Sequence, residues 1–213
     1  IAGIQSKGFK PQCTNSKHPF GYSPNLLKQL GKPERCDQIW VSDTTYLRTE
    51  DGWTYLATVM DLFSRRIVGW SVSSHNNSKL VCRALQAGVL TRGGHLPEGL
   101  ILHSDRGSTY ASDDYQRLLS SLKIAQSMSA KGNCYDNAAM ESFYGKYKTS
   151  SVRDQAFVGE DQARSHAFEY IELFYNRFRK HSSLGYKSPV QFECAIASPM
   201  GEAIASLPAC IHN

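Results

Sequence analysis

No stretch of this 213-residue chain approaches the roughly 20 consecutive apolar residues of a membrane-crossing helix. The N-terminus, Ile1-Ala2-Gly3-Ile4-Gln5-Ser6-Lys7, lacks the long apolar core of a secretory signal. It also lacks an initiating Met, as expected of a processed chain or a fragment. The six cysteines (Cys13, Cys36, Cys82, Cys134, Cys194 and Cys210) include no Cys-x-x-Cys pair and no nearby His-x-x-x-His partner, which argues against structural zinc. A chain of this size builds its own core and needs no disulfide framework, so free thiols in a reducing, cytoplasmic compartment are expected. Internal repeats and low-complexity segments are absent. With 41% hydrophobic and 20% charged residues, the composition is that of a folded globular protein.

Acid is scarce in one place. Residues 1–35 hold Lys7, Lys10, Lys17, Lys28, Lys32 and Arg35 against the single Glu34, and thus carry the whole formal charge of +5. Gly3, Gly8, Pro11, Pro19 and Pro24 punctuate this stretch, and its apolar periodicity is weak. It reads as a basic N-terminal arm, or the remnant of a preceding DNA-binding domain. Residues 36–193 form the main domain, formally neutral. Residues 194–213 form a tail whose one charge is Glu202, and no function is read from it.

Within the main domain the pattern is first that of strands. Ile39 to Leu47, Trp53 to Leu62 and Ile67 to Val72 are rich in β-branched and aromatic residues. The turn signals Thr49-Glu50-Asp51-Gly52 and Phe63-Ser64-Arg65-Arg66 separate them, which predicts an antiparallel meander. Ser78 is a candidate cap for a helix carrying Leu80, Val81, Ala84, Leu85 and Val89 at helical spacing. Leu100 to Ser104 reads as a short buried strand, Ser112 opens a second helix, and Ile124 to Ser127 reads as a fifth strand. A helix follows from Asn137 through Tyr147. A last one starts near Glu160, with Ala163, Ala167, Tyr170, Ile171, Phe174 and Phe178 on one stripe. Three strands followed by alternating helices and short strands predict an α/β fold, a mixed sheet covered by helices.

Three carboxylates stand out. Asp43 interrupts an apolar strand, Asp105 ends another, and Glu141 lies in the first turn of the helix that begins at Asn137. Each alone is explicable by an Arg partner, because a carboxylate in such a place needs positive charge. Three together, on elements that can neighbour in one sheet, fit hard-cation binding better. Carboxylates suit Mg²⁺, and two such ions about 3.5–4 Å apart can activate an attacking oxygen and stabilise the leaving one in phosphodiester transfer.

Around these residues the sequence closely resembles the catalytic region of bacterial insertion-sequence transposases of the DDE group, related to retroviral integrases. The matching strings are Trp40-Val41-Ser42-Asp43-Thr44-Thr45-Tyr46, Asp61 to Trp70, His103-Ser104-Asp105-Arg106-Gly107-Ser108, Lys131 to Phe143, and Tyr175 to Pro189. Thirty-five residues lie between Asp105 and Glu141, the spacing of that group. The resemblance spans about Gln38 to Glu193, the integrase-like catalytic domain. It implies a ribonuclease H-like fold with a five-stranded mixed sheet. It further implies Asp43, Asp105 and Glu141 as catalytic ligands of Mg²⁺, with Mn²⁺ as substitute and two ions in the active complex. The implied activity is DNA cleavage and strand transfer on element ends and target DNA, by a bacterial, nucleoid-associated protein that oligomerises on DNA. Its relatives recognise element ends through upstream helix-turn-helix segments, fused or separately encoded. The alternative is a truncated, non-catalytic DNA-binding product that interferes with transposition.

Neighbouring residues carry secondary expectations. Lys148 is seven positions after Glu141 and shares its helix face, so it is assigned to phosphate, against the alternative of a solvated lysine. Lys131, Asn133 and Tyr135, in the loop before the helix, suit phosphate contact and base stacking. Arg177, Arg179 and Lys180 form a basic patch interleaved with aromatics, suited to DNA backbone. For Arg106 two readings stand, DNA contact or support of its own loop. For His103 they are positioning of a phosphate or water, and a hydrogen-bonded core histidine. Asp61 is expected to be structural.

Overall fold

The β-rich segments pair as an antiparallel meander of β1 (Ile39–Thr49), β2 (Gly52–Asp61) and β3 (Ile67–Ser73). The computed structural model describes residues 21–129, 138–152 and 156–198. Beyond β1 the sheet changes sense. β4 (Ile101–Ser104) runs parallel to β1 and β5 (Ala125–Met128) parallel to β4, giving the order β3-β2-β1-β4-β5. The expected five-stranded mixed sheet is therefore observed, and β1 is its central strand.

The helices are α1 (Leu27–Leu30), α2 (Ser78–Thr91), α3 (Ser108–Ala111), α4 (Asp113–Ser121), α5 (Ala138–Tyr147), α6 (Gly159–Phe168) and α7 (Pro189–Ala197). Alternation along the strands sorts apolar side chains to two faces. Trp40, Ala57, Val59, Val68 and Leu102 join Leu80, Val81, Ala84, Leu85, Tyr110, Tyr115 and Leu119 in one core. Val41, Leu47, Leu56, Met60, Ile67 and Val72 pack with Met140, Phe143, Tyr144 and Tyr147 of α5 and with Ala163 and Ala167 of α6 in the other. Where α2 crosses β3, Gly69 is obligatory. A Cβ there would sit 2.2 Å from the Ala84 carbonyl oxygen.

Local departures from the sequence reading have physical causes. The cap of α2 is Asn77, whose side chain accepts from the Leu80 amide, and not Ser78. The helices α3 and α7 were not anticipated. The second opens with a reciprocal box in which Ser188 accepts from the Gln191 amide and Gln191 accepts from the Ser188 amide. It runs through residue 193, so the boundary expected there falls inside a helix. The stripe expected to reach Phe174 and Phe178 is broken by a wide π-helical stretch at Glu169–Tyr175, whose i→i+5 bond runs from the Asn176 amide to the Ile171 carbonyl. The extra residue per turn rotates Tyr175 and Asn176 inward and leaves Phe178 70% exposed. Asn176 then hydrogen-bonds both the amide and the carbonyl of Ile67, as a strand would. Part of the arm also belongs to the body. Ser23 donates to Gln126, Leu26 donates to the Ser127 hydroxyl, and the Pro24 carbonyl accepts from Met128, covering the edge of β5.

A carboxylate fastens α7. Glu193 receives both terminal nitrogens of Arg92 (2.9 and 2.7 Å), Nη1 of Arg66 (2.7 Å) and the Ser64 hydroxyl (2.7 Å). Arg92 also donates to Asp37, and buried Asp61 accepts the amides of Asp37 and Ser64. Asp61 is thus structural, as expected. Burial opposes its ionisation, but the guanidiniums and the hydroxyl hold Glu193 at about 2. Because that value lies below the unfolded one, the stabilisation is full above about pH 5 and is lost as pH falls toward 2. Asp61, its pKa raised by burial, acts in the opposite sense and softens the loss. Urea unfolding of Glu193→Gln should show a deficit of roughly 2–3 kcal/mol at pH 7 that closes as both proteins approach pH 2. A pH-independent deficit would show that the charge is not what holds α7.

Candidate active site

Asp43 lies in β1, and Asp105 directly follows β4, the strand that pairs with β1. The parallel ladder of β1 on β4 aligns Ile39 with Ile101, Trp40 with Leu102 and Val41 with His103. Asp43 lies two residues past the last aligned position of β1, and Asp105 two past that of β4, so both leave the same end of this ladder. Both are half-buried. Alternation gives Asp43 the parity of Val41, which packs against α5, while Ser42 and Thr44 face the opposite layer and share the Tyr110 hydroxyl at 3.2 Å each. Each carboxylate is oriented locally: Oδ1 of Asp43 accepts from the Thr44 amide, and Oδ1 of Asp105 from the Gly107 amide. Tyr110 reports their combined charge. Its phenol is pushed far up by burial first, and then by the negative charges of Asp43 and Asp105 among others.

Glu141 arrives on α5. Met140, Phe143, Tyr144 and Tyr147 form the buried stripe of that helix, and Glu141 sits exposed beside it in the first turn. The decisive tether is Tyr144, one turn after Glu141. Its hydroxyl donates to the backbone carbonyl of Asp43 at 2.7 Å and also meets Thr58 Oγ1 at 2.8 Å. This bond fixes the helix bearing Glu141 to the residue bearing the first carboxylate. Sequence reasoning missed Tyr144 and Tyr110, whose signal (an aromatic at i+3 from Glu141, another after Asp105) is too common to single out.

Residues 33–134 match the family model described as integrase core domain, and residues 122–189 match a second model of the same description. The transposase InsF for insertion sequence IS3A of Escherichia coli (strain K12) is 41% identical over 199 residues, covering 90% of this chain and 68% of that protein. This chain belongs to the IS3-type insertion-sequence transposases. An insertion element IS600 protein of 31 kDa from Shigella sonnei is 45% identical over 179 residues, covering 84% of this chain and 65% of that protein. Among solved structures, a simian T-cell lymphotropic virus intasome chain matches with a TM-score of 0.62 at 18% identity, over 94% of this chain and 67% of that one. The HTLV-2 integrase catalytic core domain, solved in complex with magnesium, matches with a TM-score of 0.53 at 19% identity, over 73% and 95%. The fold is thus the ribonuclease H-like fold of integrase cores, and this transposase is a polynucleotidyl transferase that acts on DNA.

The other expected site residues of the transposase are placed as follows. Lys148 is half-buried, with its ammonium 4.1 Å from the ring centroid of Tyr46, three residues past Asp43. It is held at β1 and is not a freely solvated lysine. Arg106 places its guanidinium over the Tyr22 ring at 4.9 Å, which ties the arm to the loop after β4. His103 is buried, with Nδ1 2.8 Å from the Ser127 hydroxyl and Nε2 3.0 Å from the Ser129 hydroxyl. That is the core histidine of the two readings, and the accessory role is withdrawn because both ring nitrogens are engaged. Arg177 and Lys180 are exposed and Arg179 half-buried. Lys131, Asn133 and Tyr135 lie outside the described residues.

Two groups of side chains compete as metal holders. Among the described residues, Cys36, Asp61 and Glu193 are the three whose ligand atoms lie within 4.8 Å of one another. They do not fit a cation. Glu193 is already occupied by two guanidiniums and a hydroxyl, and Arg92 would repel the ion. Burial and the neighbouring carboxylates also raise the Cys36 thiol to about 12. Asp43 and Asp105, with Glu141 on the adjoining helix, offer an all-oxygen set suited to a hard divalent ion. Loss of the tether is the test of this geometry. Tyr144→Phe should destabilise the fold by roughly 1–2 kcal/mol in urea unfolding, because Thr58 and the Asp43 carbonyl lose a buried partner. An unchanged midpoint would mean that the helix is placed by apolar packing alone.

Proposed function

We propose that this transposase cleaves DNA at insertion-sequence ends and joins the freed end to target DNA, using divalent metal held by Asp43, Asp105 and Glu141. The observation that carries this reading is that Asp43 and Asp105 follow the same end of the β1–β4 ladder, with the Glu141 helix tied to the Asp43 carbonyl by Tyr144. The ions are two Mg²⁺, with Mn²⁺ as substitute. When bound, they sharpen the attacking oxygen of water or a DNA 3′-hydroxyl and neutralise charge on the leaving oxygen.

The chain's own residues position the reactants. Asp43, in β1, and Asp105, just past β4, supply oxygen donors, each oriented by a backbone amide. Glu141 closes the set from a helix whose apolar stripe is anchored in the core. Lys148, braced on Tyr46, offers an ammonium to a phosphate near the reacting strand. No side-chain base is needed, and His103 is committed elsewhere. Lys131, Asn133, Arg177, Arg179 and Lys180 contribute backbone contacts, Tyr135 stacks on a base, and Arg106, over the Tyr22 ring, holds its own loop. Two element ends must be held at once, so the active form is a homo-oligomer on DNA. A helix-turn-helix segment, fused or separate, supplies end recognition. The chain works in the cytoplasm at the nucleoid. None of the observations favours the truncated, non-catalytic alternative.

The test is joining of a labelled element-end duplex to target DNA with Mg²⁺ or Mn²⁺. Asp43→Asn, Asp105→Asn and Glu141→Gln should each reduce joining about a hundredfold or more while leaving the fold intact. Full activity in any one of them removes that residue from the metal set.

A further inference from the structure

A second polar site lies on the other flank of the Glu141 helix. A cleft of about 390 Å³ opens between the first turns of α5, the β2–β3 turn and the segment that follows the π-helical stretch. Arg65, Arg179, Lys180, His181, Ser182 and Ser183 line it, and Ser142, next to Glu141, belongs to the same wall. None of the described lining residues is acidic. The three cations form no ion pair among the described residues. Three like charges converging with no acidic side chain among the described lining residues repel one another, a cost that an anion removes.

His181 lines the same cleft. Its Nε2 is buried and has no hydrogen-bond partner. The ring is held edge-on by Tyr175 at 5.1 Å, and its backbone is pinned by bonds with Leu184, Tyr186 and Lys187. Burial first, then the positive charges of Arg179 and Arg65, lower it to about 4, so the imidazole is neutral at pH 7. It therefore adds no charge to the cleft it lines, whose positive field comes from Arg65, Arg179 and Lys180.

We propose that this cleft is a binding site for a single phosphodiester of the DNA backbone, gripped by Arg65, Arg179 and Lys180 and by the Ser182 and Ser183 hydroxyls. It rests on the transposase reading above and deepens it, since one wall is the helix that carries Glu141. A phosphate seated there fixes the strand relative to that helix. The sites differ in chemistry: the carboxylates take metal, and the cleft takes the anion directly.

The experiment is the salt dependence of binding of the full chain to a labelled duplex, followed by fluorescence anisotropy across KCl concentrations. Arg65→Gln and Arg179→Gln should each weaken binding roughly tenfold and lower the log–log salt slope by about 0.9, one phosphate's worth. The double variant should lose the same single increment and not two, because both guanidiniums hold one phosphate. Ser182→Glu/Ser183→Glu, at exposed positions, should do likewise without a change in thermal unfolding. Arg117→Gln, on α4 and paired with Asp114, should keep the parent slope. Parent slopes in the cleft variants would overturn the cleft and leave the transposase reading standing. No binding of duplex by the parent would overturn both.

Discussion

Parallel pairing of β1 with β4 is the constraint on which the active site depends. Among the described strands these two pair across the longest stretch of chain, and Asp43 and Asp105 each lie two residues past the last aligned pair. Side chains alternate with a period of two, so a one-residue slip would turn Asp43 to the layer now occupied by Ser42 and Thr44. That layer is closed by Tyr110, which shares its hydroxyl with those two side chains. The buried apolar residues on both sides of β1 thus specify where the carboxylate points. Trp40 is committed to one core and Val41 to the other.

The rest of the molecule serves to keep that arrangement in place. Two half-buried carboxylates need fixed polar partners around them. The opposing elements are rigid and locally satisfied. Backbone amides orient each Asp, Tyr144 ties α5 to β1, and Lys148 brings a cation over Tyr46. At a separate place, Glu193 gathers Arg66 and Arg92 so that α7 closes against the β2–β3 turn. The two acidic groups behave oppositely. One is saturated by guanidinium and is structural. The other has the all-oxygen chemistry of a metal centre.

Much of this was legible in the sequence because strand alternation and turn signals are local. β-branched runs split by Thr49-Glu50-Asp51-Gly52 and Phe63-Ser64-Arg65-Arg66 delivered the meander to within about two residues. Asp43 and Asp105 were conspicuous because a carboxylate in an apolar strand is unusual. What stayed hidden depends on tertiary context. The π-helical stretch at Glu169–Tyr175 leaves no periodic trace, and it turned Phe178 out to solvent while burying Asn176. The service of Ser23 and Leu26 at the edge of β5 could not be read from a segment with weak periodicity. His103 shared the parity of Asp105, but only the placement of Ser127 and Ser129 decided between its two readings.

The claim that Asp43, Asp105 and Glu141 are the metal centre is tested most directly by a crystal structure of this chain grown with Mn²⁺, with the ion located by its anomalous signal. The account predicts a peak within coordination distance of both Asp43 and Asp105, with Glu141 turned toward it. A peak among Cys36, Asp61 and Glu193, with none between Asp43 and Asp105, would contradict it.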